Sequence, residues 1–512
     1  MTQIVETTAG KLQGTIDGTI HVFKTIPYAA STAGTNRFLP PQPCAPWSGI
    51  RTCTDFSGRA PQAGLRPPTR PELENFSGAA DPSPETEDCL TVNVWTPGCD
   101  NTAKRPVMVW FHGGAFAYGN ANSPRTHGHR LAARNDVVVV TVNQRLNIFG
   151  HLDLSATGDA FRLSGNAGTL DMVAALEWVR DNIAALGGNP GNVTIFGESG
   201  GGAKVSTLLA MPRAKGLFHR AIIQSGAAVR LRTKERALAL TECVARHLGI
   251  SGAALQDVPV AQLLAAVEPA QKALGASPFP LFDRYPFGPV VDGDVLPAHP
   301  FDPVASPICS HVPLIIGDMK TETASFLAPV DRVWDRTLSE AELRQRVEAV
   351  AGPHTGRVIE TYGQLYPGTN PAERLIAITT ACNFRIRSLA LAQRRAALHQ
   401  APVWMYSFEW ETPVFGGKLK APHAMDVPFV FNTLDLTNAT GGDPDAQTLA
   451  DTMSSVWATF ARNGRPDHPS IPAWPVYKSD KRATLLLDKN CRIENDPRGE
   501  ERRLWQDITG TV

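Results

Sequence analysis

One short stretch constrains the fold of this chain more than any other. It reads Val193-Thr-Ile-Phe, then Gly197-Glu-Ser199-Gly-Gly201, then Gly-Ala-Lys-Val-Ser-Thr-Leu-Leu. β-branched residues favour a strand, the glycines favour a sharp turn, and the Ala/Leu-containing segment favours a helix. A serine on such a turn needs small neighbours, because a Cβ beside it would clash with the adjacent strand and helix. The pattern predicts that Ser199 is a nucleophile lifted clear of a sheet.

Other β-branched runs alternate with helix-like segments along the chain, at residues 107–111, 137–143, 193–196, 221–224, 312–316, 403–410 and 483–487. Between the second and third runs, apolar residues at helical spacing from Leu170 to Leu186 indicate a crossover helix that Gly187 ends. Apolar strands separated by helices are typical of a mostly parallel, buried sheet. We predict an α/β fold with Ala/Leu-rich helical insertions at roughly 235–275 and 335–400.

Length and charge limit the organisation and the partners. With 512 residues, the chain is long enough for a large core, and we expect a single catalytic domain over 1–512 with inserted subdomains. Its 49 basic and 49 acidic side chains cancel, which argues against nucleic acid or anionic lipid and favours a neutral substrate. Neither a secretory signal nor an apolar stretch of membrane-spanning length is seen. We expect a cytoplasmic protein, a monomer or small homo-oligomer, without a membrane partner.

Cysteine and histidine spacing does not indicate a metal or a disulfide framework. Eight cysteines are scattered without a C-x-x-C pair, which favours reduced thiols. His127-Gly128-His129 has two histidines without further ligands and predicts a solvated turn. We therefore expect no metal and no cofactor.

A second turn of small residues, His112-Gly-Gly114-Ala115-Phe, follows the run 107–111. Backbone at such a turn can approach a substrate carbonyl, and an alkoxide that forms in acyl transfer needs preorganised N–H donors. We predict Gly114, Ala115 and Gly200 as the donors of an oxyanion hole. Taken alone, the segment would favour an ordinary glycine turn with His112 as a hairpin residue.

Together these segments resemble the type-B carboxylesterase family, which includes bacterial para-nitrobenzyl esterases, fungal lipases, cholinesterases and the non-catalytic neuroligins. Matching segments run in order over nearly the whole chain, at residues 87–97, 112–116, 188–194, 197–201, 288–293 and 457–461. The resemblance implies the α/β-hydrolase fold, with a mostly parallel central sheet flanked by helices. It also implies a serine triad that hydrolyses esters.

The resemblance extends to the acid and the base of the triad. The family's acid lies in a G-x-x-x-D-E-G segment, and Glu322 occupies the corresponding place five residues after Gly317, although Thr321 and Thr323 depart from the pattern. Asp318 is the alternative acid. The family's base lies in H-x-x-[DE]-x-P-[FY]-V-F, which residues 423–431 match, so His423 is the predicted base. Because that base must be neutral, activity is expected to rise through a pH of about 6.5.

Other residues have less specific assignments. Glu198 either tunes the charge of the histidine or bonds local backbone, and Ser225 either hydrogen-bonds to the triad or is an ordinary turn serine. Six aromatic residues are candidates to line an apolar pocket, although each is also compatible with plain core: Phe116, Tyr118, Phe279, Phe282, Phe287 and Phe326.

Departures from the family pattern narrow the expected substrate. Residues 61–87 form a Pro-, Ser-, Glu- and Gly-rich loop that we expect to cover part of the pocket. This loop has neither the tryptophan with which cholinesterases hold a quaternary ammonium nor the apolar face of an interfacial lid. Ala60 stands where secreted relatives carry the disulfide partner of Cys89, so that disulfide cannot form.

We therefore predict a carboxylesterase for small to medium neutral, fairly apolar esters, which needs only its ester substrate and water. Two alternatives stay open. One is a carbamate or amide hydrolase of the same fold. The other is a neuroligin-like binding protein, which the presence of Ser199 disfavours.

Overall fold

The architecture is one large sheet with helices packed on it, as a computed structural model describes it for residues 2–66, 69–74, 76, 78–275 and 285–511. The strands are β1 (Thr2–Thr7), β2 (Gly10–Asp17), β3 (Ile20–Pro27), β4 (Ile50–Thr52), β5 (Thr91–Thr96), β6 (Arg105–Phe111), β7 (Val138–Val142), β8 (Gly188–Glu198), β9 (Arg220–Gln224), β10 (Arg232–Thr233), β11 (Val290–Val291), β12 (Leu314–Met319), β13 (Val403–Phe408), β14 (Ala483–Leu487) and β15 (Arg492–Asn495). The helices are α1 (His129–Asn135), α2 (Asn147–His151), α3 (Ala167–Asn182), α4 (Gly200–Leu208), α5 (Lys234–Leu248), α6 (Val260–Leu274), α7 (Ala324–Leu327), α8 (Asp331–Trp334), α9 (Glu340–Ala351), α10 (Thr355–Leu365), α11 (Pro371–Thr380), α12 (Ile386–Ala396), α13 (Val427–Phe431), α14 (Pro444–Asn463) and α15 (Gly499–Thr509).

The main sheet has the order β1-β2-β3-β5-β7-β6-β8-β9-β12-β13-β14-β15. Neighbours from β7 to β14 pair in parallel, whereas β5 and β15 join this central part antiparallel. Every residue of β7, β12 and β13 is buried, because helices cover both faces. The predicted α/β-hydrolase fold is confirmed. It brings the carboxyl ends of β6, β8, β9 and β12 to one edge of the sheet.

The predicted crossover helix is present with shifted ends. It begins at Ala167 and ends at Asn182, and Ile183–Leu186 form a separate 3-10 turn. Gly187 closes this turn with a left-handed φ of 77°, a conformation that favours glycine. The apolar spacing continued through Leu186 because the 3-10 turn also faces the core, where Ile183 and Leu186 are fully buried.

The two predicted insertions are helical in the structure. Helices α5 and α6 form a small second core together with Phe38, Phe149 and Phe287. Helices α9 to α12 occupy the later insertion, and a π turn at Ala381–Arg385 joins α11 to α12. The π turn and α12 pack against β12, the strand that precedes Glu322.

The continuous helix 371–396, which consists of α11, the π turn and α12, corrects the expectation that no apolar stretch has membrane-spanning length. By length and composition it is apolar enough to cross a membrane, and 78% of its most apolar window is buried inside the protein. Alanine, leucine and isoleucine on its inner face pack in the main core. Burial in a protein core and burial in lipid select the same side chains, which is why composition alone does not separate them.

The cysteines are free thiols, as expected, whereas the His127 turn is less exposed than expected. All eight cysteines are free, and burial raises the pKa of Cys53 and of Cys309 to about 11. Buried thiols of this kind are poorly reactive. His127 is only partly exposed, because it packs against Phe56 and Trp95 at 5.1 and 5.7 Å between ring centroids. Among the described residues, no group of three or more His, Cys, Asp or Glu side chains is arranged to hold a metal.

Candidate active site

The turn that carries Ser199 joins β8 directly to α4. Ser199 has φ 57° and ψ −122°, a strained conformation for a non-glycine residue. Its amide donates to the Gln224 carbonyl at 2.8 Å, and its carbonyl accepts from Ala203 at 3.0 Å. A Cβ at Gly201 would lie 2.0 Å from the carbonyl oxygen of Phe111. Glycine is required there because α4 begins in contact with the end of the neighbouring strand.

The predicted oxyanion loop faces this turn. Gly114 and Ala115 have φ angles of 89° and 55°. A Cβ on Gly200 would lie 2.2 to 2.4 Å from backbone atoms of Ala115, so the two segments are in direct backbone contact. Among the described residues, the amides of Gly114 and Ala115 have no protein acceptor. The amide of Gly200 opens α4, where a helix leaves N–H groups unpaired.

A buried lysine supports the oxyanion loop from behind. Lys204, on α4, is fully buried, and its Nζ donates to the His112 carbonyl at 2.8 Å. His112 Nε2 lies 2.9 Å from the side-chain amide of Gln144. When the side-chain amide of Gln144 is oriented with its oxygen towards Lys204, that oxygen also accepts a hydrogen bond from Lys204 Nζ at 2.9 Å. Burial holds the pKa of Lys204 well below its usual value. Sequence reasoning missed this cluster, whose only signal is a lysine on the apolar helix that follows the elbow.

The structure brings Glu322 and His423 together. Glu322 follows β12 and is fully buried, with Oε2 2.6 Å from His423 Nδ1 and Oε1 accepting from the Met319 amide at 2.9 Å. The two threonines that depart from the family pattern anchor this loop. Thr321 Oγ1 donates to the Leu419 carbonyl at 2.8 Å, and Thr323 Oγ1 donates to the Ile376 carbonyl at 3.0 Å.

The alternative acid, Asp318, is directed elsewhere. Its Oδ1 lies 3.4 Å from Nε of the buried Arg385, which also pairs with Glu501 at 3.1 Å. Burial raises the pKa of Asp318 to about 7 despite the guanidinium. Asp318 is therefore part of an ion-pair cluster beneath the loop, and Glu322 is the carboxylate that contacts the imidazole.

Glu198 lies on the other side of the same imidazole. Its Oε1 is 3.1 Å from His423 Nε2, and the carboxylate is 2% exposed. Burial raises the pKa of Glu198 to about 7. That Oε1 accepts no hydrogen bond from the described backbone, so the geometry favours the tuning role over the backbone-bonding role. Glu198 and Glu322 thus flank both nitrogens of the ring.

The two carboxylates change the expected titration of His423. Burial lowers the pKa of the imidazole, but the charges of Glu198 and Glu322 and the hydrogen bond that the imidazole donates to Glu322 outweigh it and raise the pKa to about 9. The expectation of a value near 6.5 is therefore corrected upward. Phe326 and Phe384 pack against the ring at 4.8 and 5.0 Å and keep water from screening the charges.

Ser225 does not make the hydrogen bond that was one of its two predicted roles. Its side chain lines the same cavity as Ser199, but its hydroxyl is buried and unpaired among the described residues. Both carboxylate oxygens of Glu322 already accept hydrogen bonds, from His423 and Met319. Another buried polar residue close to the imidazole in sequence is Asp426, which accepts from Gln224 and Tyr406 at 2.8 Å each. It is the acidic residue of the histidine motif, to which sequence reasoning assigned no role.

Ser199, Glu198, His423 and the oxyanion loop line one cavity of about 1470 Å³, which we call the gorge. Residues of the predicted 61–87 loop form part of its wall, as expected. Four of the six predicted aromatics, Phe116, Tyr118, Phe287 and Phe326, also line it. Phe279 and Phe282 lie outside the described residues.

The sheet, the strained serine turn and the histidine held by a carboxylate from the end of β12 define a hydrolase of the α/β class. A carboxylesterase family model matches residues 1–505, and the chain belongs to that family. It is 39% identical to the para-nitrobenzyl esterase of Bacillus subtilis over 98% of both chains. It is 33% identical to a phenmedipham hydrolase of Pseudarthrobacter oxydans, over 96% of this chain and 97% of the relative.

Solved structures agree with this assignment. A Geobacillus stearothermophilus carboxylesterase superposes with a TM-score of 0.84 at 38% identity, covering 98% of this chain and 100% of that one. A para-nitrobenzyl esterase superposes with a TM-score of 0.83 at 37% identity, covering 98% and 99%. The predicted family and ester-hydrolysing activity are confirmed, and the alternative of a neuroligin-like binding protein is not favoured.

Proposed function

We propose that this enzyme hydrolyses small to medium, fairly apolar carboxylic esters through an acyl-enzyme formed on Ser199, with His423 as base and Glu322 as the orienting acid. The observation that carries the proposal is the Glu322–His423 contact of 2.6 Å. It fixes Nδ1 of the imidazole on the carboxylate, so that Nε2 is the nitrogen left for the reaction in the cavity that Ser199 also lines. The geometry resembles the division of roles in serine triads.

In the first step neutral His423 takes the Ser199 proton, and Ser199 Oγ attacks the ester carbonyl. Charge develops on the carbonyl oxygen, and the amides of Gly114, Ala115 and Gly200 are the proposed donors to it. The imidazolium then returns its proton to the departing alcohol. Water repeats the sequence on the acyl-enzyme and releases the carboxylic acid, so the net reaction consumes one ester and one water.

We also propose a cellular location and an oligomeric state for the enzyme. We infer a cytoplasmic location from its eight free thiols, which suit a reducing compartment. We further infer a monomer or small homo-oligomer that acts without nucleic acid or a membrane. A sedimentation measurement on the purified chain tests the oligomeric state.

A fluorophosphonate probe tests the proposed function directly. Such a probe forms a covalent bond with an activated serine, and we expect one adduct per chain, mapped to Ser199 by mass spectrometry. A panel of acetate to hexanoate esters, with matched amides and carbamates, then ranks the scissile bonds. We expect the esters to be cleaved fastest. A folded protein that neither reacts with the probe nor cleaves any ester would overturn the proposal.

A further inference from the structure

The gorge carries more positive charge than the balanced sequence suggests. Its described lining includes eight arginines against four carboxylates. Several of these charges are neutralised locally. Arg59 lies 3.9 and 3.8 Å from Asp81 and Glu85, respectively. Arg230 and Arg394 share Asp302, at 3.3 and 3.0 Å. The fourth carboxylate, Glu198, is in contact with His423.

Arg125 has no carboxylate partner of this kind. Its side chain lines the gorge and forms no ion pair or hydrogen bond among the described residues. Its backbone, in contrast, is held firmly, because Thr433 Oγ1 donates to the Arg125 carbonyl at 2.7 Å and the His127 amide closes the turn at 3.1 Å on Pro124. The fold thus fixes the base of a long cationic side chain whose end is left for a ligand.

The surroundings of Arg125 make an unpaired guanidinium costly. Burial lowers its pKa, and the nearby charge of Arg66 lowers it further, whereas Glu198 acts in the opposite direction. Two cations that lie near each other repel, and an anion bound between them removes the repulsion. Glu198 does not fill this role, because its carboxylate contacts the imidazole.

The position of Arg125 identifies the part of the substrate that it faces. His423 Nδ1 is bonded to Glu322, so Nε2 is the atom that returns the proton to the departing alcohol. Glu198 Oε1 lies 3.1 Å from that Nε2, and Arg125 is close enough to Glu198 for the two charges to interact. Arg125 therefore lines the same cavity as the imidazole that returns the proton, within reach of an alcohol portion that extends away from Ser199 along the gorge.

We propose that Arg125, with Arg66 beside it, binds an anionic group on the alcohol portion of the ester, so that the preferred substrates carry a carboxylate there. A guanidinium forms two parallel charge-assisted hydrogen bonds to a carboxylate, which suits this role better than a lysine would. The inference rests on the proposed function, since it assigns His423 Nε2 to the departing group.

The test uses two aryl acetates of nearly the same shape, 4-carboxyphenyl acetate and 4-carbamoylphenyl acetate. We expect the full-length enzyme to have a kcat/KM roughly tenfold or more higher for the carboxylate ester, as a charged hydrogen bond in a partly buried site provides. Arg125→Gln is expected to abolish this preference, and Arg125→Lys to keep part of it. The matched control is Arg230→Gln, which removes a gorge arginine that is paired with Asp302 and is expected to keep the ratio.

Three results would overturn the inference: equal kcat/KM for the two esters, equal loss of both in Arg125→Gln, or the same selective loss in Arg230→Gln. If Arg125→Gln fails to fold, inhibition of the unaltered enzyme decides. We expect 4-hydroxybenzoate to inhibit more strongly than 4-hydroxybenzamide, and equal inhibition would refute the site. Turnover of the carbamoyl ester separates the test of Arg125 from the test of the proposed function. If the enzyme does not cleave this ester at all, the result argues against the proposed function. If it cleaves both esters equally well, the result argues only against the role of Arg125.

Discussion

The reaction centre and the arginine-lined wall of the gorge are built in opposite ways. At the centre the orienting carboxylate is fixed on both of its oxygens, because Glu322 accepts hydrogen bonds from His423 and Met319. On the wall, Arg125 has a fixed backbone and a side chain that forms no ion pair or hydrogen bond within the described part of the chain. Strain and pairing at the centre serve one reaction, whereas an unpaired charge on the wall selects which ester enters. The chemistry of the reaction centre and the substrate specificity of the gorge wall are therefore separate properties of this fold, and each can be tested separately.

Removal of the nucleophile should have the largest effect. Ser199→Ala is expected to lower kcat by several orders of magnitude, because the variant lacks the oxygen that attacks the ester carbonyl. Initial rates on a para-nitrophenyl ester measure the loss, and circular dichroism checks that the variant is folded. Near-normal turnover would remove Ser199 from the role and place the chemistry elsewhere in the gorge.

Substitutions of the two carboxylates near the end of β12 should have the next largest effect, and the two variants should differ in their loss of kcat. Glu322→Gln is expected to lower kcat by roughly a thousandfold or more, since the imidazole loses its orienting anion. Asp318→Asn is the matched variant and should lower Tm, because it leaves Arg385 with one fewer partner, with a much smaller loss of kcat. A reversed order, with the larger kcat loss in Asp318→Asn, would make Asp318 the acid.

Substitution of the buried Lys204 tests whether the reaction depends on the hydrogen bond that supports the oxyanion loop. Lys204→Met keeps the length of the side chain but removes the hydrogen bond to the His112 carbonyl. We expect kcat to fall roughly tenfold with little change in KM, because the loop donates to the charge that forms in the transition state and not to the bound ester. Ser206→Ala, on the same helix, is the control. An equal effect of both variants on kcat would reduce Lys204 to a packing role.

The smallest expected effect is a displacement of the pH profile. His423 is an effective base only when neutral, and its pKa is raised to about 9, so kcat/KM should rise with pH well above 6.5. Glu198→Gln removes one of the two charges that raise the pKa. The rising limb should therefore move to lower pH, and activity below pH 7 should increase relative to the plateau. An unmoved limb in this variant would show that Glu198 does not tune the base.

How far sequence reasoning reaches differs between these regions. The elbow, the fold and the Glu322–His423 pairing were predictable because they rest on local motifs and on the order of strands, which a linear pattern records. Lys204, Asp426 and Arg125 were not, because their meaning depends on what lies across the fold from them. Balanced charge over the whole chain does not show where positive charge is concentrated, which only the folded arrangement reveals. The pKa of His423 was missed for the same reason.

The backbone contact between Gly200 and Ala115 has a consequence for the evolution of this enzyme. A methyl group at residue 200 would lie within 2.4 Å of the facing chain, so a change there is tolerated only together with a shift of the other segment. Because the atoms in contact belong to the backbone of Ala115, no side-chain substitution at residue 115 relieves this clash. A library that randomises residue 200 is therefore expected to contain mostly inactive variants, whatever residue stands at 115.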